Sequence, residues 1–267
     1  MKRLLLLALS LLLLSSCALL GPRGPKVVAR PDWGRFFDEA GVRGTLVLAK
    51  SGEGKAQVYD PARARERFLP ASTFKILNAS IALETGAVSG PDEPFKWDGV
   101  QRSVASWNKD MTLKEAFALS CVPVFQEIAR RIGEDAMEAW VRGVGYGNGE
   151  TAGGIDVFWL QGALRISAME QVEFLDEYRR GVLPFSARTT DMVKDMMVSA
   201  SGEDWTVRAK TGWAARTQPG VGWWVGWVER GGDAWHFALN IDMDKMEQAR
   251  ARQQIVMAVL KAEGILP

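Results

Sequence analysis

The sequence predicts an α+β protein in which strands from both chain ends form one antiparallel sheet, flanked by helices, with a helical subdomain inserted at roughly residues 72–200. Three observations predict this. Strand-like apolar runs lie early, at 44–50 and 54–60, and late, at 205–213, 220–230 and 234–242. Between them, apolar residues recur at helical spacing. The chain has 267 residues, 47% hydrophobic, enough for one large core. Strands that bracket helices in this way close on one another as a single sheet, with the helices beside it.

Taken in order, residues 1–16, "MKRLLLLALSLLLLSS", have a basic start and an apolar stretch too short to be a firm membrane span, which is an export signal. Its removal takes Lys2 and Arg3 away, so the net charge moves from +1 to −1. Residues 17–30 read as an anchor and tether rich in Gly, Pro and basic residues, leaving 31–267 as the folded domain. "GTLVLAK" (44–50) and "GKAQVYD" (54–60) form a hairpin around "SGE". Residues 72–85 are helical, and "TLKEAFALSCVPVFQEIARRIG" (112–133) carries helical periodicity from a Thr cap. Further helices are expected at 134–143, 167–180 and 188–199, and a last one follows the three late strands from about 247 to 263.

Composition excludes several functions. A net charge of +1 carries no basic excess for nucleic acid, and no repeat or heptad run is present. The 11 tryptophans, several crowded between Trp205 and Trp235, point to core and cleft packing. One histidine and two cysteines give no zinc-ligand cluster, so no metal is expected. Removing residues 1–16 and modifying Cys17 leaves Cys121 as the one side-chain thiol, which precludes an intramolecular disulfide. The single histidine, His236, lies in the strand-like "DAWHFALNID" (233–242) and reads as a packed residue. A Ser-His-acid triad is therefore not the expected chemistry.

The stretch "PASTFKILNA" (70–79) offers another route. It sets Ser72 and Lys75 three positions apart at the start of an apolar helix, where both share a face. Burial of that face lowers the lysine pKa and frees an amine that can act as a base. Ser-X-X-Lys alone is weak, being expected about once by chance in a chain this long. Indeed "SWNK" (106–109) is a second match, but in a polar segment. "AKTGW" (209–213) is more specific: it ends a strand with the cation of Lys210, the hydroxyl of Thr211, and Gly212, which leaves room for a substrate along the strand edge. "SCV" (120–122) places Ser120 and Val122 on or near a helix beside Ser72.

Together these residues resemble the penicillin-recognising serine enzymes, and among them the class D (oxacillinase-type) β-lactamases. "PASTFKI" is similar to the family's nucleophile helix, "SCV" to its Ser-X-Val element, "YGN" (146–148) to its Tyr-Gly-Asn triplet, "FWLQGALRIS" (158–167) to its Phe-Trp-Leu segment and "KTGW" to its Lys-Thr-Gly strand, all in family order. "SWNKDMTL" (106–113) and "GWWVGWV" (222–228) match as well, so the resemblance runs from about residue 30 to the C-terminus. Tyr-Gly-Asn and Phe-Trp-Leu distinguish class D from class A.

The resemblance implies a β-lactamase/transpeptidase-like fold and a serine hydrolase acting on β-lactam antibiotics. Ser72 would be the nucleophile. Lys75, N-carboxylated by carbon dioxide or bicarbonate, would be the general base, among the apolar neighbours Phe74, Val122 and Leu160 and with the Trp159 indole as a hydrogen-bond donor to the carbamate. Ser120 would relay a proton to the lactam nitrogen, and the N–H groups of Ser72 and Trp213 would hold the oxyanion. Substrate contacts would fall to Trp107, Val122, Lys210, Thr211 and Gly212, with Arg252, or else Arg250, binding the substrate carboxylate. No other cofactor is implied. "LSSC" (14–17) resembles a bacterial lipobox, which implies lipidation of Cys17 and an exported, membrane-anchored periplasmic protein, sorted to the outer membrane in a Gram-negative host because Ala18 rather than Asp follows. Alternatives on the same fold are a β-lactam sensor domain and a D,D-peptidase or esterase.

Overall fold

The computed structural model describes residues 24–267; the expected export signal and Cys17 lie outside them. Seven strands form the main sheet: β1 (Lys26–Ala29), β2 (Gly44–Lys50), β3 (Lys55–Tyr59) and, after the helical middle, β6 (Val198–Ser201), β7 (Trp205–Ala214), β8 (Val221–Arg230) and β9 (Asp233–Asp242). The order across the sheet is β1-β3-β2-β9-β8-β7-β6. β9, from the end of the chain, pairs antiparallel with β2, from its beginning, in the register Leu46↔Leu239. The two chain ends thus share one α+β sheet, as the sequence predicts. A minor ladder joins β4 (Pro94–Phe95) to β5 (Met111–Thr112).

Two strands are additions. β1 lies within the stretch expected as a tether, and it runs parallel to β3, the one parallel pairing in the sheet. β6 occupies the end of the helix expected over 188–199, which stops at Met196. Both are four-residue, largely exposed edge strands with little apolar pattern to betray them.

On one face of the sheet lie α2 (Pro61–Arg65), α3 (Lys75–Thr85), α4 (Leu113–Ala118), α5 (Val122–Ile132), α6 (Glu134–Gly143), α7 (Ala168–Arg180) and α8 (Ala187–Met196); α1 (Gly34–Glu39) and α9 (Ala251–Ala262) cover the other. Their starts are locally encoded. Thr112 caps α4 and Ser167 caps α7, each in a reciprocal box with the glutamate three residues on, and Ser186 accepts from Thr189 N to start α8. Gly86 and Gly181 adopt left-handed conformations at the ends of α3 and α7. The single helix expected over 112–133 is instead two, broken at 119–121. Ser120 sits there at φ 56°, a left-handed value that no helix continues through.

The sheet separates two cores. Trp223, Val225 and Trp227 of β8 face the helical layer, while Trp224 and Val228 face α1 and α9. Burial on both faces explains why "GWWVGWV" shows no alternation. His236 packs in β9 with its Nδ1 3.5 Å from Asp176 Oδ1, and burial lowers its pKa to about 4, so it is neutral near pH 7.

Gly226 marks the tightest backbone approach in β8: a Cβ there would lie 2.1 Å from Arg208 O and 2.7 Å from Ala209 Cα. Gly226→Ala must push β7 and β8 apart. The expected cost is about 3 kcal/mol, measured as a lower urea midpoint; a midpoint equal to that of the unsubstituted protein would contradict the close approach.

Candidate active site

The turn that carries Ser72 is built where the helical layer meets the sheet. Ser72 lies in a 3-10 turn, Ala71–Phe74, that runs directly into α3. Ala71 holds a left-handed φ of 48° and donates its N–H to Trp159 O at 3.0 Å. Strain of this kind persists only where surrounding contacts enforce it. Here Thr73 Oγ1 donates to Pro70 O at 2.8 Å and accepts from Gln171 Nε2 at 2.9 Å. Gln171 in turn lies 3.3 Å from the buried Tyr146 hydroxyl, so α7 and the Tyr-Gly-Asn turn lock the residue beside Ser72.

Lys75 is 0% exposed, and its Nζ donates to Ser72 Oγ at 2.9 Å. Its amine sits 5.1 Å over the ring of Phe125, a neighbour the sequence did not single out. Among the described residues no carboxylate pairs with it. Burial, and secondly the positive charge of Lys210, hold its pKa well below the ordinary lysine value. The Lys75 amine is therefore poised to be neutral and nucleophilic.

Trp159 stacks on Phe74 with ring centroids 5.3 Å apart, and its buried Nε1 has no acceptor among the described residues. Ser120 projects from the break between α4 and α5 and accepts from Lys210 Nζ at 2.9 Å. Lys210 itself is 5% exposed; burial, with a smaller contribution from the Arg252 charge, brings its pKa to about 7.

β7 presents an open edge. Ala209 N–H donates to Met197 O at 2.8 Å, and beyond that bond no strand covers this side of β7. Amide directions alternate along a strand, so the N–H groups of Thr211 and Trp213 point the same way, into open space. The Trp213 indole is anchored by its donation to Met243 O at 2.8 Å. Gly212 has a reason that the sequence did not disclose: its missing side chain admits the turn that carries Ser72. A Cβ there would lie 2.9 Å from Pro70 O and 3.2 Å from Thr73 N.

Arg252, at the start of α9, is 9% exposed and donates to Gly212 O at 2.8 Å, while Arg250 is exposed in the preceding 3-10 turn. The structure thus puts Arg252 against the Lys-Thr-Gly strand. Trp107 and Val122, both half-buried, lie on the other rim: the Trp107 indole donates to Leu119 O at 3.0 Å, and Val122 opens α5. Thr73, Gln171 and Phe125 are the contributors that sequence reasoning missed, since a buried glutamine on an amphipathic helix carries no motif.

A serine bonded to a buried lysine, a second serine bonded to a second lysine on an open strand edge, and a helical layer over an antiparallel sheet define the penicillin-recognising serine enzymes. Residues 44–261 match the family model for the penicillin binding protein transpeptidase domain. The chain is 41% identical to β-lactamase OXA-10 of Pseudomonas aeruginosa over 95% of both chains, and 43% identical to β-lactamase OXA-48 of Klebsiella pneumoniae over 88% of this chain and 89% of that one. Among solved structures, a class D β-lactamase from Nostoc superposes with a TM-score of 0.86 at 41% identity, covering 88% of this chain and 99% of its own. The class D enzyme FUS-1 (OXA-85) from Fusobacterium nucleatum subsp. polymorphum gives 0.87 at 36% identity, over 90% and 100%. The chain belongs to the class D β-lactamases and is a serine hydrolase.

Gly212→Ala tests the packing of strand against turn. Opening that contact displaces Ser72 from the strand edge, so kcat/KM for a chromogenic cephalosporin should drop at least tenfold, with about 1–3 kcal/mol of stability lost. Activity equal to that of the unsubstituted protein would show that the turn is positioned by other means.

Proposed function

We propose that the protein hydrolyses β-lactam antibiotics through an acyl-enzyme on Ser72, with N-carboxylated Lys75 as general base in both acylation and deacylation. One observation carries this reading: Lys75 is a buried amine with no anionic partner among the described residues, 2.9 Å from Ser72 Oγ, and the preceding residue, Phe74, stacks on Trp159, whose buried indole N–H lacks an acceptor. A neutral amine attacks carbon dioxide and releases a proton. The resulting anion is an acceptor for the Trp159 N–H and replaces the missing charge partner.

In acylation, carboxylated Lys75 takes the Ser72 proton as Oγ bonds to the lactam carbonyl carbon. The N–H groups of Ser72 and Trp213 stabilise the oxyanion. As the C–N bond breaks, Ser120 passes a proton to the lactam nitrogen and is resupplied through Lys210, whose pKa of about 7 suits it to hold or release a proton near neutrality. In deacylation, carboxylated Lys75 takes a proton from water, the hydroxide adds to the ester carbonyl, and Ser72 leaves with a proton restored. Arg252, Lys210 and Thr211 attract the substrate carboxylate, with Trp107 and Val122 along the opposite rim.

The export signal and the Leu-Ser-Ser-Cys run further support acylation of Cys17 and attachment to the periplasmic side of a membrane, the outer membrane in a Gram-negative host.

The base is tested by pH and carbon dioxide together. The carbamate is lost when acid protonates its nitrogen, and the freed Lys75 is then held as an ammonium below its depressed pKa, so activity should fall on the acid side and recover with bicarbonate. Ser72→Ala should abolish turnover, Lys75→Ala should trap any acyl-enzyme formed, and Trp159→Ala should lower activity in a way that excess bicarbonate partly restores. Full activity of degassed enzyme, with no carbon-13 carbamate signal after labelled bicarbonate, would remove the carbamate and leave the serine hydrolase.

Cys17→Ser should move the protein from the membrane fraction to the soluble periplasmic fraction with unchanged specific activity. An unmodified, already soluble N-terminus in the unsubstituted protein would contradict the anchor.

A further inference from the structure

Beside the active site, a groove of about 270 Å³ opens where β6 ends and the free edge of β7 begins. Thr211 of β7 forms one side, Met197, Val198 and Ser199 another, Ala118 at the end of α4 a third, and Gln253 of α9 the last. Val198 is 48% exposed. Lys210 and Thr211, which the mechanism uses, form its border with the active site; the mechanism assigns no role to Ala118, Met197, Val198, Ser199 or Gln253. Sites for drug-sized ligands measure about 300–1,000 Å³, so this one suits a fragment rather than a whole antibiotic.

The strand edge fixes what would reach it. Along β7 the open N–H groups run from Trp213, at the oxyanion position, to Thr211, beside the Lys210 ammonium, and end at Ala209, which is already bonded to Met197 O. A substrate lying on this edge behaves as an added strand. Its scissile carbonyl is at Trp213 and its carboxylate is near Thr211 and Lys210. Whatever extends past the carboxylate enters the groove. In a cephalosporin, the ring carbon next to the carboxylate-bearing carbon is C3, which carries the variable substituent; in a penicillin the corresponding atom carries only methyl groups.

We propose that the groove formed by Ala118, Met197, Val198, Ser199 and Gln253 is a specificity subsite for the C3 substituent of cephalosporins, favouring uncharged, apolar or sulfur-containing heterocycles. Met197 supplies a polarisable thioether at its base, and Val198 supplies an apolar wall without a charge. The inference rests on the β-lactam hydrolase reading and adds a substrate preference to it.

The test compares kcat/KM for three cephalosporins that share one acyl side chain and differ at C3, bearing hydrogen, an uncharged thio-heterocycle or a pyridinium. Val198 is an exposed edge residue, so substitutions there should fold. Val198→Asp should lower the ratio of thio-heterocycle to hydrogen roughly fivefold and raise the ratio of pyridinium to hydrogen by a similar factor. Val198→Trp, which fills the groove, should lower both ratios. Ratios that stay within twofold in both variants would overturn the subsite while the enzyme still hydrolyses all three compounds. Absence of any β-lactam turnover by the unsubstituted protein would instead overturn the hydrolase reading, and the subsite with it.

Discussion

A lysine buried without a counter-charge is the constraint on which the site depends. An ammonium in the Lys75 position, over the Phe125 ring and away from any carboxylate, is too costly to keep. The fold therefore favours the neutral amine, and its complete burial keeps bulk water away from it. A second buried lysine raises the demand further: Lys210 adds repulsion to Lys75 while itself being pressed by Arg252. With Lys75 neutral, Arg252 and the protonated fraction of Lys210 give the cleft its positive character, and this suits it to an anionic ligand.

Holding those groups in place takes backbone conformations that neither helix nor strand supplies. Ala71 and Ser120 are two of the three non-glycine residues at positive φ among the described residues: Ala71 immediately precedes Ser72, and Ser120 carries the hydroxyl bonded to Lys210. Each lies at a junction between helix and turn. The Thr73–Gln171–Tyr146 bonds enforce the first, and the Ser120 N–H to Phe117 O and Cys121 N–H to Ala116 O bonds enforce the second. Preorganisation of this kind is bought with packing elsewhere, chiefly the tryptophan-rich face of β8.

Legibility in the sequence followed the strength of local signals. Long apolar strands and capped helices declare themselves, because burial imposes a period and a cap imposes a residue type; β8, β9, α4 and α7 all emerge from 220–242, 112 and 167 in this way. β1 and β6 do not, because they are short and mostly solvent-facing, and only their neighbours make them strands. The break at Ser120 is invisible because the apolar period carries on across it. Ser72, Lys75 and Lys210 stand out as motif residues, whereas Gln171 acts through Thr73 and resembles any other helix glutamine. The role of Gly212 was legible as a need for space but not as whose space it was, since the contact joins residues far apart in the chain.

β1 also bears on how far the enzyme can roam. Because the sheet claims the chain from Lys26 onward, a lipid on Cys17 would leave only the intervening residues as a leash, with a fully extended reach of about 30 Å. That is comparable to the diameter of a small domain. The catalytic body would then patrol a thin layer at the membrane surface, edge strand first, and would meet antibiotic molecules as they cross the bilayer's aqueous margin before they mix with the bulk compartment.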